Sequence, residues 1–368
     1  MRIERIRIIR VAMPLIYPFR TAFGNDDVIE SVLVQLSSGD LSGWGESACW
    51  RSPAYCAECS ASQFLVSRDF VAPQLLNQQI SSGRELQSQL SSIKDNHFAK
   101  AAFDLAWWDL YAKARNQPLW KLLGGISSTV SAGADFGIMG CVAELIESVG
   151  QAIEQGYPRI KLKFRPGWDL NMIEQVRWQF PDTVIHIDCN SHYSLRDVEM
   201  FKQLDSYKLA MIEQPLAHND LIDHAVLQKQ IETPICLDES IVSADRARKA
   251  IQVGACRWVN IKLGRVGGIT NALEVKKVCE EGGTPCWVGG MLESAIGSSH
   301  NIAFATLSNI GYPSDIFPTS RFYTKDLSTA SIEHSAPGQF KATDESGIGA
   351  CPDEDRLQEL AIEQIVLS

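Results

Sequence analysis

The first part of the chain alternates apolar and polar residues in the manner of β-strands. Apolar residues recur at strand spacing over 3–11 and again over 32–36, and the turn-forming Ser38-Gly39-Asp40 follows directly. This pattern predicts a small antiparallel sheet within residues 1–60. Residues 18–24 interrupt the alternation, and we expect them to form a loop.

The pattern becomes helical from about residue 61 to residue 123, and Gly124-Gly125 ends that stretch. From about residue 130, short apolar strands alternate with helical segments, which is typical of parallel βαβ units. Strands are predicted at 160–164, 184–188, 210–213, 235–238, 258–262 and 285–288.

The strand ends recur every 25, 25, 25 and 24 residues from Lys163 to Lys262. Eight such units need about 200 residues, the size of a TIM barrel. The predicted fold class is therefore α/β: a TIM-type (β/α) barrel at 129–326 with an α+β capping domain. That domain comprises residues 1–128 and is completed by 327–368.

Composition excludes several classes of function. The chain has 368 residues and a formal net charge of −10, which argues against a nucleic-acid or anionic-membrane partner. No stretch approaches 18 uninterrupted apolar residues, so no transmembrane helix is expected. A charged start and ten scattered cysteines indicate a reducing cytosol. Cys56 and Cys59 form a CxxC without a second pair, and their role stays open. We expect a homo-oligomer.

Charged residues stand at the same point of each barrel repeat. Three consecutive strands end in the acids Asp188, Glu213 and Asp238, and the flanking strands end in Lys163 and Lys262. Barrel enzymes carry their catalytic groups at this end of the strands. A single acid at a strand end is best explained as a loop cap or a salt-bridge partner, but three at even spacing are not.

Three carboxylates aimed at one point would repel one another, and a hard divalent cation removes that repulsion. Oxygen ligands with room for water suit Mg²⁺ better than Zn²⁺, with Mn²⁺ as a possible substitute. Lys163 and Lys262 should face each other across a bound substrate. Burial and the nearby cation of Lys161 would lower the pKa of a lysine enough to let it act as a base. This equipment suits removal of a proton next to a carboxylate, with metal stabilisation of the resulting enediolate.

The motifs in their order resemble those of the enolase superfamily, over nearly the whole chain. The resemblance is to its muconate-lactonising-enzyme subgroup, and within that to the o-succinylbenzoate synthase/N-succinylamino-acid racemase group. The segments that carry it are PFRTAFG at 18–24, GWGE at 43–46, RIKLK at 159–163, PGWD at 166–169, IEQP at 212–215, PICLDES at 234–240 and GGMLE at 289–293.

The resemblance implies a Mg²⁺ enzyme with Lys163 as base, Lys262 as the facing cation and a small-molecule carboxylate as substrate. It also implies that Glu239 orients Lys262. Further supporting or substrate-contacting positions are Lys161, Asn190, Met291, Glu293 and, in the capping loops, Phe19, Arg20, Phe23 and Tyr55.

The implied reaction is dehydration of a cyclohexadiene carboxylate to o-succinylbenzoate, a menaquinone precursor, which makes the enzyme a carbon–oxygen lyase. Racemisation of N-acylamino acids is the alternative, alone or as a second activity, because both reactions use the same lysines. A muconate or dipeptide substrate is a further possibility. A barrel that only binds a metal or a partner would not need lysines on both sides of the acids. Asp135 and the bulky segment 49–54 depart from the group's pattern and leave the exact substrate open.

Overall fold

The computed structural model describes residues 1–21 and 24–368. The strands are β1 (Arg5–Thr21), β2 (Gly24–Ser38), β3 (Leu41–Ser47), β4 (Thr129–Ser131), β5 (Ala134–Phe136), β6 (Ile160–Lys163), β7 (Ile185–Asp188), β8 (Ile212–Glu213), β9 (Ile235–Leu237), β10 (Trp258–Ile261), β11 (Cys286–Val288), β12 (Gln339–Lys341) and β13 (Ala361–Leu367). The α-helices are α1 (Ser60–Val66), α2 (Ala72–Leu75), α3 (Gly83–Gln89), α4 (His97–Ala114), α5 (Leu119–Leu122), α6 (Val142–Glu154), α7 (Leu170–Gln179), α8 (Val198–Leu204), α9 (Leu221–Gln228), α10 (Ala244–Val253), α11 (Leu263–Val266), α12 (Ile269–Glu281), α13 (Ala295–Ala305) and α14 (Glu354–Leu360). Within the described residues, no helix combines the length and apolar character needed to cross a membrane.

The capping sheet is antiparallel, with the strand order β13-β1-β2-β3. The predicted turn between β2 and β3 is present, with Gly39 at a φ of 56°. Helix α4 packs closely against β3. A Cβ at Gly45 would lie only 2.2 Å from the Ala102 carbonyl oxygen, so glycine is what lets the strand approach the helix.

The prediction of a loop at 18–24 is wrong for residues 18–21 and for residue 24, which lie in strands. Strand β1 continues through Thr21 and β2 begins at Gly24, so that Phe19 pairs with Asp26 and Arg20 with Asn25. The register of this hairpin shifts between Pro14 and Phe19. Such an irregularity destroys the alternation of apolar and polar side chains without ending the strand. Phe23 lies outside the described residues.

Seven parallel strands form the barrel sheet, in the order β11-β10-β9-β8-β7-β6-β5. Segment 309–315 lies between the two edge strands. Its amides at Gly311 and Asp315 donate to Cys286 and Val288 of β11, while Ser314 exchanges hydrogen bonds with residues 131–133 ahead of β5. Helices follow the strands along the chain as predicted, and the α/β barrel with an α+β cap is confirmed.

Two buried acids of the capping part bind the N-termini of barrel helices. The carboxylate of Glu46, at the end of β3, accepts hydrogen bonds from Ser294 and from the Gly297 amide at the start of α13. Asp104 of α4 accepts from the Thr270 amide at the start of α12. The first amides of a helix have no acceptor within the helix, so these contacts satisfy them and hold the cap over the barrel.

Candidate active site

The barrel strands place three buried acids side by side. Asp188 ends β7, Glu213 ends β8 and Asp238 directly follows β9. Asp188 and Glu213 are register partners on adjacent parallel strands, and all three acids are at most 1% exposed. Acids that are evenly spaced along the chain are therefore neighbours in space, because each parallel strand ends at the same rim of the barrel.

The ammonium group of Lys161 lies among three carboxylates. Its Nζ is 3.1 Å from Asp188 Oδ2, 2.8 Å from Glu213 Oε2 and 3.0 Å from Asp315 Oδ2. Lys161 is 2% exposed, so these pairs are little weakened by solvent. Lys161 therefore neutralises two of the three predicted metal ligands in this structure.

Lys163 and Lys262 line one small cavity of about 30 Å³. Lys163 Nζ lies 2.7 Å from Asp188 Oδ2, and Lys262 Nζ lies 3.0 Å from Asp238 Oδ2. The two lysines thus contact the outer members of the row of acids, with Glu213 between them. Both are 7% exposed. A substrate atom in this cavity would lie near both amines.

The charges shift one another's ionisation. Burial raises the pKa of Asp188, but the Lys161 and Lys163 cations outweigh it and hold that pKa well below its usual range. Burial lowers the pKa of Lys262, yet the acidic groups around it, including Tyr55 and Glu239, leave that pKa raised. The expectation of a lowered lysine pKa is not met at Lys262, because Tyr55 first, and then Glu239 and Glu213, raise that pKa by more than burial lowers it.

The carboxylate oxygens of these acids are suitable ligands for a hard cation, but in this structure their partners are ammonium groups. Among residues 1–21 and 24–368, no three His, Cys, Asp or Glu side chains are already gathered so as to hold a metal ion. Yet Glu213 Oε2 and Asp238 Oδ2 are buried and accept no hydrogen bond with good geometry, although lysines lie within 3.0 Å. Buried oxygens of this kind are suitable ligands for Mg²⁺.

Three contacts to this row of acids were not foreseen from the sequence. Asn260 Nδ2 donates to Glu213 Oε1 over 2.6 Å, and the guanidinium of Arg265 binds Asp238 Oδ1. Asp315 pairs with Arg159 as well as with Lys161. Asp315 could have been anticipated from the sequence. One more repeat of 25 residues, counted from Val288, predicts a further strand end near residue 313. Arg265 lies on α11, beyond the strand repeat.

Glu239 and Asn190 contact each other, with Asn190 Nδ2 donating to Glu239 Oε1 over 3.1 Å. The short contact to the Lys262 ammonium group comes from Asp238, so the orienting role expected of Glu239 stays a prediction. Burial, and then the charge of Asp188, raise the pKa of Glu239 to about 7. Met291 lines the lysine cavity, and its amide donates to Glu293 Oε2 over 2.9 Å.

Two of the four predicted capping residues reach the lysine cavity. Tyr55 and Phe19 line it, and the Tyr55 ring centre lies 4.7 Å from Lys262 Nζ. The hydroxyl of Tyr55 donates to Asp238 Oδ1 over 3.3 Å. Arg20 instead lines a separate, larger cavity of about 730 Å³.

The CxxC cysteines lie next to Tyr55 and carry free thiols. Burial raises the pKa of the Cys56 thiol to about 12, so it stays protonated at neutral pH. Cys59 caps the N-terminus of α1. Neither contributes to the row of charged groups at the strand ends.

Comparison with known proteins covers almost the full chain. Residues 3–124 match the family profile described as "Mandelate racemase / muconate lactonizing enzyme, N-terminal domain", and residues 144–356 match "Enolase C-terminal domain-like". The chain is 43% identical to an o-succinylbenzoate synthase of Geobacillus stearothermophilus, over 97% of this chain and 94% of the relative. It is 39% identical to an N-succinylamino acid racemase of Thermus thermophilus, over 95% and 94%.

Solved structures agree in fold. A crystal structure of an enolase superfamily member from Listeria innocua superposes with a TM-score of 0.96 at 36% identity, covering 100% of this chain and 99% of that one.

Proposed function

Because this chain belongs to the enolase superfamily, in the branch of mandelate racemase and muconate lactonizing enzyme, we propose that it is an o-succinylbenzoate synthase. It would remove water from 2-succinyl-6-hydroxy-2,4-cyclohexadiene-1-carboxylate, as a Mg²⁺-dependent carbon–oxygen lyase. A small-molecule carboxylate is the only partner that this function requires.

One observation carries the proposal: Lys163 and Lys262 line the same small, buried cavity beside three adjacent carboxylates. An α-proton next to a carboxylate is too weakly acidic for an amine alone. It becomes removable where the charge that develops on the carboxylate is stabilised. A cavity between two amines, closed by Phe19 and Tyr55, also keeps water away from the reacting carbon.

Dehydration would use the two lysines differently. The neutral amine of Lys163 takes the α-proton, and the electron pair of the broken C–H bond moves into the substrate to form an enediolate. Lys163, now protonated, returns the proton to the leaving hydroxyl on the same face as the C–O bond breaks, which forms water and the aromatic ring. Lys262 stays protonated beside the enediolate and stabilises its charge.

Asp188, Glu213 and Asp238 would hold the divalent ion, which superfamily members generally require. When bound, Mg²⁺ would supply positive charge beside the substrate carboxylate. It would also compete with the lysines for the carboxylates that now raise the pKa of Lys262. Lys161 would then lose part of its present ion pairing and be able to contact the substrate carboxylate.

A second candidate is racemisation of N-succinylamino acids, alone or beside the first activity. It is favoured by the presence of two lysines in the lining of one cavity, because 1,1-proton transfer needs two bases, one for each face of the reacting carbon. The 39% identity to the Thermus racemase supports it too.

The test is turnover of both substrates by one purified sample. We expect the Mg²⁺-supplied protein to dehydrate the cyclohexadiene or racemise N-succinylamino acids, EDTA to abolish the activity, and Mg²⁺ or Mn²⁺ to restore it. Glu213→Gln should weaken metal binding while leaving the chain folded. Full activity after exhaustive EDTA treatment would refute the metal site, and failure to turn over either substrate would refute the proposed function.

A further inference from the structure

Asp135 stands at the junction of two cavities. It lines the small cavity of Lys163 and Lys262 and also the cavity of about 730 Å³ that lies between the β1–β2 hairpin and β5. Phe19 is the other residue that lines both. Any substrate group that leads outward from the reacting carbon into the larger cavity therefore passes the Asp135 carboxylate.

The carboxylate of Asp135 has an unsatisfied oxygen. In the register of the barrel sheet Asp135 pairs with Lys161, but the Lys161 ammonium group is directed to the acids described above. Within the described part of the chain, Asp135 Oδ1 is buried and accepts no hydrogen bond. A buried acceptor left in this state is unfavourable, and a ligand that donates a hydrogen bond there would gain affinity.

The larger cavity suits an apolar arm that ends in a negative charge. Four aromatic side chains, Tyr17, Phe136, Tyr157 and Phe322, form part of its wall. Two guanidinium groups, Arg20 and Arg321, also line it, against one glutamate carboxylate, Glu144. Arg321 is held in place, because it donates to the Asp135 carbonyl oxygen over 2.6 Å and lies 5.4 Å from the Phe136 ring centre.

Resting on the second function proposed above, racemisation of N-succinylamino acids, we propose that Asp135 accepts the amide N–H of an N-acylamino acid whose acyl arm occupies the larger cavity. The terminal carboxylate of a succinyl arm would then lie toward Arg20 and Arg321. In the cyclohexadiene the succinyl group is attached through a ring carbon that has no hydrogen to donate. Asp135 would therefore act as a specificity residue that favours N-acylamino acids over the carbocyclic substrate.

A pair of substrates isolates this contact. We would compare an N-succinylamino acid with the analogue in which an ester oxygen replaces the N–H, following exchange of the α-proton in D₂O. The wild-type ratio of kcat/KM, amide over ester, should fall on the order of 10- to 100-fold in Asp135→Ala, because only the amide loses a hydrogen bond to a charged group. Intrinsic differences between amide and ester cancel when the two proteins are compared.

The matched control is Glu144→Gln, which removes an exposed carboxylate from the same larger cavity and should leave the ratio unchanged. Any general loss of activity that Asp135→Ala causes affects the amide and the ester alike, so it cancels in their ratio. An amide-to-ester ratio that is the same in wild type and Asp135→Ala would overturn the inference.

Failure of this inference is distinguishable from failure of the proposed function. Calorimetric binding of the amide and the ester, with Mg²⁺ present, gives the same ratio without turnover. If the wild-type chain turned over neither substrate class, the proposed function would be refuted. The ratio of dissociation constants would then still decide whether Asp135 recognises the N–H.

Discussion

Replacing Lys161 by Met should make the stability of this protein strongly dependent on Mg²⁺. The ammonium group of Lys161 contacts Asp188, Glu213 and Asp315 at 2.8–3.1 Å in surroundings that exclude solvent. Methionine has a similar length and no charge, so the variant keeps the packing and removes the cation. The three acids then lose a shared partner, and among the described residues their mutual repulsion is offset only by Lys163 at Asp188 and Arg159 at Asp315.

The size of the effect follows from burial. Removing one member of a buried ion pair costs about 3–5 kcal/mol. Unfolding entropy is about 2.1 cal/mol/K per residue, hence about 0.8 kcal/mol/K for 368 residues. Metal-free Lys161→Met should therefore unfold about 4–6 °C below the metal-free wild type.

Added Mg²⁺ should reverse most of that loss. An ion at a hundred times its dissociation constant stabilises by about 2.7 kcal/mol, or roughly 3–4 °C here. The gain should be larger in Lys161→Met than in wild type, because the Lys161 ammonium group no longer competes for Asp188 and Glu213. The assay is thermal denaturation of both proteins in EDTA and in a Mg²⁺ titration.

Lys276→Met is the matched control. Lys276 is also poorly exposed, but its single partner, Glu280, is half exposed at 52%, so the loss should stay below about 1 kcal/mol and be indifferent to Mg²⁺. If metal-free Lys161→Met were as stable as wild type, or if Mg²⁺ stabilised both proteins equally, the view that Lys161 and a metal compete for these acids would be wrong.

Three further predictions concern the lysines, the hairpin and the cap. Lys163→Arg should lower the rate of dehydration by on the order of 10²–10⁴, because guanidinium is too weak a base, while Lys262→Arg should retain some dehydration and lose racemisation. With an N-succinylamino acid in D₂O, each variant should exchange the α-proton of one enantiomer only. Near-wild-type rates in either variant would refute the two-lysine mechanism. Arg20→Ala should change substrate preference, read from kcat/KM values, more than Mg²⁺ affinity, since Arg20 lines only the larger cavity; an equal change in both would contradict this. Burial raises the pKa of Glu46 to about 7 from its usual 4.5. Between these pH values Glu46 is protonated in the folded protein and ionised in the unfolded chain. Its contribution to stability is therefore full below pH 4.5 and lost as the pH rises through 7. Glu46→Gln should remove this pH dependence, which is on the order of 3 kcal/mol, from a plot of unfolding free energy against pH. An unchanged plot would show that the pKa of Glu46 is not raised in this way.

Periodicity predicted most of the fold because barrel strands are uniform. Each strand is a short apolar run buried on both faces, and the connecting helix has a nearly constant length, so the repeat is visible in one sequence. The same uniformity placed Asp188, Glu213 and Asp238 on neighbouring strands. What failed was the hairpin at 18–24, where a register irregularity removed the alternation on which strand prediction depends.

Contacts made across the barrel could not be read from the repeat. Nothing in the local sequence indicates that Arg265 turns back to Asp238, or that Lys161 is shared by three acids. The pKa of Lys262 was expected to be low from burial and from the nearby cation of Lys161. The surrounding acids reverse that direction, and their proximity is a property of the folded barrel.

The place of β13 in the capping sheet bears on how the chain is made. This strand follows every barrel strand in the sequence, yet it pairs along β1, with Ile6 opposite Leu367. During synthesis the outer edge of β1 therefore has no partner strand until the whole barrel and then β13 have been translated. An exposed strand edge invites pairing with other chains. The nascent protein would thus be most prone to aggregation just before β13 emerges, and a chaperone that covers β1 until then would raise the yield of folded protein.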